Sequence, residues 1–189
     1  MSLEHAILGF LNYQPLTGYD LKKAFDASVQ HFWSADQSQI YRTLARLAEQ
    51  GLVEMEVVPQ ENRPNRKVYH VTEAGQEELR RWLITPLPAE KSRVAWLIQV
   101  FFAAQLPNEA IAALFEREAQ NLRRQLAVLE EQVPAAVEFY QETIGAPRDG
   151  WLWLLTLDYG QEHYRALLRW VEGVLARLDE LPERLEVRG

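Results

Sequence analysis

The stretch from residue 34 to residue 51, SADQSQIYRTLARLAEQG, constrains the fold of this chain more than any other. Its apolar residues Ile40, Leu44 and Leu47 are spaced by four and three, which predicts one buried stripe along an α-helix. The residues opposite this stripe are polar or basic. The helix must therefore rest one face on a core and present the other face outward.

The ends of this helix carry recognisable signals. Ser34 with Gln37 fits a capping box, Asp36 is an alternative N-cap, and Gly51 suits the position just past a helix C-terminus. The helix is predicted over residues 37–50.

The segments around this helix give its place in a fold. Alternating apolar residues predict a strand over Leu52 to Val58, and a second strand is expected over Lys67 to Val71. Two short helices are predicted ahead of the central helix, over Leu3 to Asn12 and over Gly18 to Ala27. In the first of them, Glu4 and His5 are expected to face outward. Helices followed directly by a hairpin are the order of a winged helix-turn-helix.

The outward face of the central helix and the hairpin tip, which with its flanks (residues 60–68) we call the wing, supply the candidate binding groups. Hydroxyls, amides and guanidiniums reach phosphates and base edges in a DNA major groove. Ser38, Gln39 and Arg42 are expected to meet bases, and Tyr41 and Arg46 the DNA backbone. The predicted DNA-binding residues are Ser38, Gln39, Tyr41, Arg42, Arg46, Arg63, Arg66 and Lys67. A solvated helix face is the alternative interpretation.

The formal net charge of −7 counts against a nucleic-acid binder at first sight. Phosphate contacts are local, however, because salt screens charges beyond about 8 Å at physiological ionic strength. Between residues 62 and 72 the chain carries three cations and no acid. This pattern predicts a small basic contact surface on an acidic body.

Three ordered motifs over residues 3–79 carry a family resemblance. They are AILGFLNYQPLTGYDL, QIYRTLARLAEQGLV and RKVYHVTEAGQEEL. Their Pro-x-x-Gly-Tyr, Ile-Tyr and Tyr-x-Val-Thr-x-x-Gly elements resemble the DNA-binding half of a PadR-like transcriptional regulator. The resemblance implies a dimeric winged-helix repressor with a C-terminal helical dimerisation region, often responding to small aromatic or cationic molecules.

The C-terminal half is predicted to be helical throughout. Residues 87–91 read as a linker, and residues 94–104 as a helix buried on most sides. A heptad seam follows, which Pro134 must kink or interrupt. The seam comprises Phe115, Ala119, Leu122, Leu126, Leu129, Val133, Ala136 and Tyr140. A turn at residues 145–150 leads to a last helix over 151–181, whose surplus apolar residues predict an antiparallel helical region with a coiled-coil seam, completed by a second copy.

Aromatic residues in this half suggest a ligand chamber. Aromatic faces stack on planar ligands and attract cations, so a small aromatic effector would suit such a chamber. The candidate effector-binding residues are Trp96, Phe101, Phe102, Trp151 and Trp153. Plain core or dimer packing is the alternative for these side chains.

No catalytic or metal-binding pattern stands out. The four histidines lie far apart in sequence, and there is no cysteine, glycine-rich phosphate loop or nucleophile elbow. No enzyme activity, metal or cofactor is therefore expected. The apolar runs are too short for a membrane span and no signal peptide is recognised, which predicts a cytoplasmic protein.

The sequence thus predicts a mainly α protein, with a winged helix-turn-helix domain carrying a two-stranded wing at residues 1–86 and a helical dimerisation domain at residues 87–189. The predicted function is that of a homodimeric repressor that binds a palindromic double-stranded DNA operator. The alternative is a winged-helix module for protein–protein interaction or assembly without specific DNA binding.

Overall fold

The computed structural model describes residues 2–60, 65–88, 93–131 and 147–182 of the 189-residue chain. The chain forms two compact units, Met1–Pro88 and Ala89–Gly189. Helices dominate both units, and the strands described lie in the first. The mainly helical fold class predicted from the sequence is confirmed.

The first unit packs four helices around a small sheet. In chain order the elements are α1 (Ser2–Tyr13), β1 (Leu16–Thr17), α2 (Gly18–Ala27), α3 (Gln37–Glu49), β2 (Val53–Val58), β3 (Arg66–Val71) and α4 (Glu73–Leu83). The predicted stripe of α3 is completely buried, with Ile40, Leu44 and Leu47 at 0% exposure. It packs with Leu21 and Phe25 of α2 in one core.

The sheet has one strand more than the sequence predicted. All pairs are antiparallel in the order β1-β3-β2, with Tyr69 of β3 between Leu16 and Met55. β1 has only two residues, too few for an alternating pattern to show in the sequence. It joins β3 to the start of α2, because Leu16 and Thr17 pair with Tyr69 and Val68 directly before α2 begins.

One other expectation for the first unit was wrong. His5, predicted to face outward, is 6% exposed, because its ring stacks on Trp82 of α4 and its Nε2 lies 3.1 Å from Glu78 Oε1. Of the two N-caps that the sequence offered for α3, the structure has Asp36 and not Ser34.

The second unit contains α5 (Ala95–Phe101), a 3-10 turn (Ala103–Gln105), α6 (Asn108–Glu131), α7 (Pro147–Leu175) and a last 3-10 turn (Leu178–Glu180). Arg123 pairs with Glu172 at 2.5 Å, and Glu130 pairs with Arg165 at 2.6 Å. Since the partner number falls as the α6 number rises, α6 and α7 are antiparallel.

The buried seam of α6 follows the predicted heptad spacing as far as it is described. Phe115, Ala119, Leu122 and Leu129 are buried and Leu126 is only half-buried, whereas the predicted positions 133, 136 and 140, and Pro134, lie outside the described residues. The predicted turn at 145–150 was partly wrong, because α7 already begins at Pro147. The last helix also ends earlier than predicted, at Leu175.

The helix predicted to be buried on most sides is not. Ile98 is 62%, Phe101 81% and Phe102 60% exposed on and just after α5. Apolar density alone does not distinguish burial within a chain from burial against another chain.

Candidate nucleic-acid interface

The outward face of α3 carries the residues that the sequence nominated for DNA. The helix starts at a capping box, in which Asp36 Oδ1 accepts from the Gln39 backbone N–H at 2.8 Å and Gln39 Oε1 accepts from the Asp36 N–H at 3.0 Å. The helix stops at Gly51, whose φ of 69° lies in the left-handed region. Five of the predicted contact residues are exposed along this face: Ser38, Gln39, Tyr41, Arg42 and Arg46.

The cap fixes the side chains at the start of α3. The Ser38 hydroxyl donates to Asp36 Oδ1 at 2.7 Å. This bond and the one from the Gln39 backbone hold the pKa of the Asp36 carboxyl below its usual value. Ser38 keeps its hydroxyl oxygen as an acceptor, and the Gln39 amide nitrogen takes no part in the capping box. Both side chains can thus still bind a base edge while the cap holds their positions.

The two arginines of α3 are in different situations. Arg42 forms no hydrogen bond or ion pair with the part of the chain that the structure describes. Its positive charge is one of the influences that lower the pKa of Asp36. Arg46 Nε lies 2.7 Å from Glu4 Oε1 of α1, a carboxylate that is only 16% exposed. Arg42 is therefore the α3 cation available for a base, while Arg46 is oriented by an acid from another helix.

Tyr41 packs over the start of α2. Its ring covers Gly18, where an added Cβ would stand 2.5 Å from Tyr41 Cε1. Tyr69 of β3 lies near enough to respond to it, since the pKa of Tyr69 is raised first by burial and then by Tyr41. The ring is half-exposed, so one edge remains accessible from solvent.

The cations of the wing are only partly described. Arg63 lies outside the described residues. Arg66 Nη2 lies 3.5 Å from Asp20 Oδ2, and Lys67 is exposed one residue further along β3. Sequence analysis did not find Asp20 and Glu4 as partners of the predicted DNA-binding cations, because pairs 46 and 42 positions apart leave no local signal.

The hairpin is anchored to α3 and α4 by the residues of the third sequence motif. The Thr72 hydroxyl donates to the Gly51 carbonyl at 2.8 Å and caps α4 by accepting from the Gly75 N–H at 3.1 Å. A Cβ at Gly75 would collide with the Leu52 carbonyl oxygen. The spacing Thr-x-x-Gly is thus required where the chain turns from the hairpin into α4.

The candidate effector residues do not form one cluster within a chain. Trp96 contacts Phe115 and Trp170, with ring centroids 5.9 Å and 5.7 Å away. Trp153 precedes Trp170 by 17 residues on α7, about 25 Å along a helix axis. Phe101 and Phe102 pack on each other, and both are exposed, as is Trp151. The sequence predicted Phe115 only as a seam residue, and it did not indicate that Trp170 contacts Trp96.

Within the described residues, no group of three or more His, Cys, Asp or Glu side chains is placed to hold a metal ion. No described helix is both long and apolar enough to cross a membrane.

Three helices followed by a hairpin, with the third helix facing outward, define the winged helix-turn-helix class. Family comparison agrees: the model of the PadR-like transcriptional regulator family matches residues 7–81, and that of the virulence activator alpha C-terminal region matches residues 92–179. The negative transcriptional regulator PadR of Bacillus subtilis is 30% identical, over 94% of this chain and 98% of that protein.

Solved structures of the Bacillus subtilis protein are similar over the same length. Its complex with operator DNA has a TM-score of 0.78 at 27% identity, covering 95% of this chain and 100% of that one. Its complex with p-coumaric acid has a TM-score of 0.72 at 27% identity, covering 95% and 99%. The chain belongs to the PadR-like family of transcriptional regulators, and it is a DNA-binding regulator and not an enzyme.

Proposed function

We propose that the protein is a homodimeric repressor that binds a palindromic operator through α3 and the wing and releases it on binding a small aromatic effector. The observation that carries the proposal is Arg42, which pairs with no acid among the described residues and lies on the exposed face of a helix whose opposite face is completely buried. A guanidinium in this setting has five donors to offer and can bind a guanine edge in two places.

The relatives support DNA binding and repression. The Bacillus subtilis protein is a negative regulator, and its structure was determined with operator DNA. Family membership favours this function over the alternative of a winged-helix assembly module. Ser38, Gln39 and Arg42 are proposed to read bases, and Tyr41, Arg46, Arg63, Arg66 and Lys67 to bind the DNA backbone.

The second unit supports dimerisation. Five large side chains are 42–64% exposed within nine residues of α7: Trp151, Leu152, Leu154, Leu155 and Tyr159. Monomeric proteins rarely expose contiguous apolar patches beyond a few hundred Å². A second copy that covers this stretch would join two copies of α3 in one dimer, and helices about 34 Å apart read successive half-sites of a palindrome.

Gel shifts test DNA binding. Duplexes from the promoters of its own and neighbouring genes should give a saturable shift that a scrambled duplex of the same composition does not compete away. Equal binding to both duplexes would mean that the protein binds DNA only through the sequence-independent electrostatic attraction of a basic surface, and specific operator binding would be contradicted.

The aromatic cluster around Trp96 supports an effector site. Its rings come from α5, α6 and α7, and a planar ligand that enters between them changes how these helices pack. The relative's ligand, p-coumaric acid, is a planar phenolic of this kind. A ligand can act as an inducer only if it binds the DNA-free arrangement more tightly than the DNA-bound one.

Titration with p-coumaric acid tests the effector site. Tryptophan emission should be quenched while DNA is released, and Trp96→Ala should abolish both responses. Trp153→Phe, which alters a half-buried tryptophan near the start of α7 and 17 residues from Trp170, should retain them. Quenching without DNA release in the parent protein would show that the cluster is packing and not a sensor.

A further inference from the structure

Gly18, the first residue of α2, lies directly beneath the ring of Tyr41 on α3. A Cβ built at Gly18 would stand 2.5 Å from Cε1, 2.7 Å from Cζ and 3.1 Å from Cδ1 of that ring. Nonbonded carbon atoms approach to about 3.5–4.0 Å. No larger residue fits at position 18 while the ring stays where it is.

The requirement at this position is for space and not for an unusual backbone. Gly51 has a positive φ, whereas Gly18 lies in helical conformation within the first turn of α2. The start of α2 is itself fixed by a capping box between Thr17 and Asp20, in which the Asp20 N–H donates to Thr17 Oγ1 at 3.1 Å. Tyr41 therefore rests on a defined surface.

Gly18 is a surface against which the Tyr41 ring lies. The side chain is 42% exposed, and an exposed aromatic ring on a helix changes rotamer unless packing holds it. Because Gly18 has no side chain, the Tyr41 ring can pack directly on the backbone of α2. This packing fixes the orientation of the Tyr41 hydroxyl.

We propose that Gly18 is a positioning residue of the DNA interface, holding the Tyr41 ring in the orientation in which its hydroxyl donates to the DNA backbone. The inference rests on the proposed function, in which Tyr41 is a backbone contact. It adds a residue that touches no DNA and that acts through the ring it supports.

Two other glycines make the inference testable, because their surroundings differ in a defined way. A Cβ at Gly9 in α1 would meet nothing within 4 Å, whereas a Cβ at Gly75 would collide with the backbone carbonyl of Leu52. The neighbour of Gly18 is the outer end of a half-exposed side chain, which can swing into solvent. Alanine should thus be harmless at Gly9, should damage the fold at Gly75, and should displace only Tyr41 at Gly18.

The experiment measures affinity for a fluorescent promoter duplex, affinity for a scrambled duplex, and Tm, all with the full-length protein. Gly18→Ala should bind the promoter duplex about tenfold more weakly, the factor expected for one hydrogen bond to a charged group, without a lower Tm. Gly9→Ala should bind like the parent, with a Tm raised by about 4 °C through its better helix propensity. In a Tyr41→Ala background, Gly18→Ala should have no further effect.

Three results would overturn the inference. Gly18→Ala could bind as the parent does, Tyr41→Ala could bind as the parent does, or Gly18→Ala could weaken binding as much without Tyr41 as with it. If the parent distinguishes the two duplexes and Arg42→Ala loses affinity, these results count against the role of Gly18, or of Gly18 and Tyr41 together, and not against DNA binding by α3. If the parent cannot distinguish the duplexes, the proposed function itself fails.

Discussion

The two units of the chain bury their apolar residues to very different extents. Among the described residues, seven of the largest fully buried side chains lie in the first unit: Ile7, Leu8, Leu21, Phe25, Ile40, Leu44 and Leu47. Only Val171 represents the second unit in that set. The first unit also covers the inner face of α3 completely, whereas the second leaves Phe101 81% exposed.

The difference shows what each unit needs in order to be complete. The first unit closes its core beneath α3, so the exposed face of that helix is the polar one and suits an anionic partner such as DNA. The second unit leaves more of its apolar surface exposed, and we propose that a second copy covers it. Substitutions in the two units can test this contrast.

The largest effect is expected in the closed core. Leu44→Ala removes a completely buried side chain from α3 and should lower the free energy of unfolding by about 2–5 kcal/mol. Urea denaturation followed by circular dichroism measures it, with exposed Ala45→Ser on the same helix as the control. A loss below about 1 kcal/mol would mean that the core around α3 is less tightly packed than the structure indicates.

An exposed apolar residue of the second unit should behave in the opposite way. Trp151→Ala should weaken subunit association, because burying an aromatic side chain contributes about 1.5–3 kcal/mol. Sedimentation equilibrium measures the dimer dissociation constant, with the exposed polar change Arg169→Ala on α7 as the control. A dimer as tight as the parent's would show that this stretch of α7 is not the interface.

Specific DNA binding is the next largest effect. Arg42→Ala should lose about 1–3 kcal/mol on the promoter duplex and much less on a scrambled one. Fluorescence anisotropy gives both values, and Arg80→Ala on α4 serves as a control for the loss of one surface charge. Equal losses on the two duplexes would assign Arg42 to a phosphate and leave base reading to Ser38 and Gln39.

Cations of the wing should change the salt dependence of binding more than its specificity. Lys67→Gln should lower the slope of log K against log salt concentration by about one per subunit. The same change at Arg66 should have a smaller effect, because Asp20 already lies 3.5 Å from its guanidinium. If neither substitution changes the slope, the wing does not contact phosphates.

The smallest effect concerns acid. Hydrogen bonds from Ser38 and Gln39 lower the pKa of the Asp36 carboxyl below its ordinary value of 3.8. The charged cap therefore stabilises α3 fully at pH values above 3.8, and this contribution is lost as the pH falls through the lowered pKa. Asp36→Asn can still cap the helix but cannot titrate. Thermal melts between pH 2 and 6 should thus fall more steeply for the parent than for the variant, and parallel curves would contradict this.

The sequence predicted the first unit well because its signals are local. Apolar spacing placed α3, the pattern around Thr72 placed α4, and alternation placed β2. The parts it missed depend on contacts distant in sequence, such as the stacking of His5 on Trp82 and the pairing of Glu4 with Arg46. Competition between Ser34 and Asp36 for the cap could not be resolved by spacing alone.

The second unit was harder to predict for a physical reason. Its apolar residues signal burial without saying what buries them, so residues 94–104 were expected to be more enclosed than they are. Trp96 and its aromatic neighbours Phe115 and Trp170 lie on three different helices far apart in sequence, and Trp170 therefore carried no sign of its role. The roles assigned to Arg42, Trp96 and the rest remain predictions.

Selection of binding sites from a pool of random duplexes by the full-length protein tests whether a dimer reads DNA with two copies of α3, because no sequence is assumed. An inverted repeat whose half-sites are centred about one helical turn, roughly 10 base pairs, apart should be enriched. Recovery of unselected sequences, or of a single unrepeated site, would contradict a dimer that reads DNA with two copies of α3.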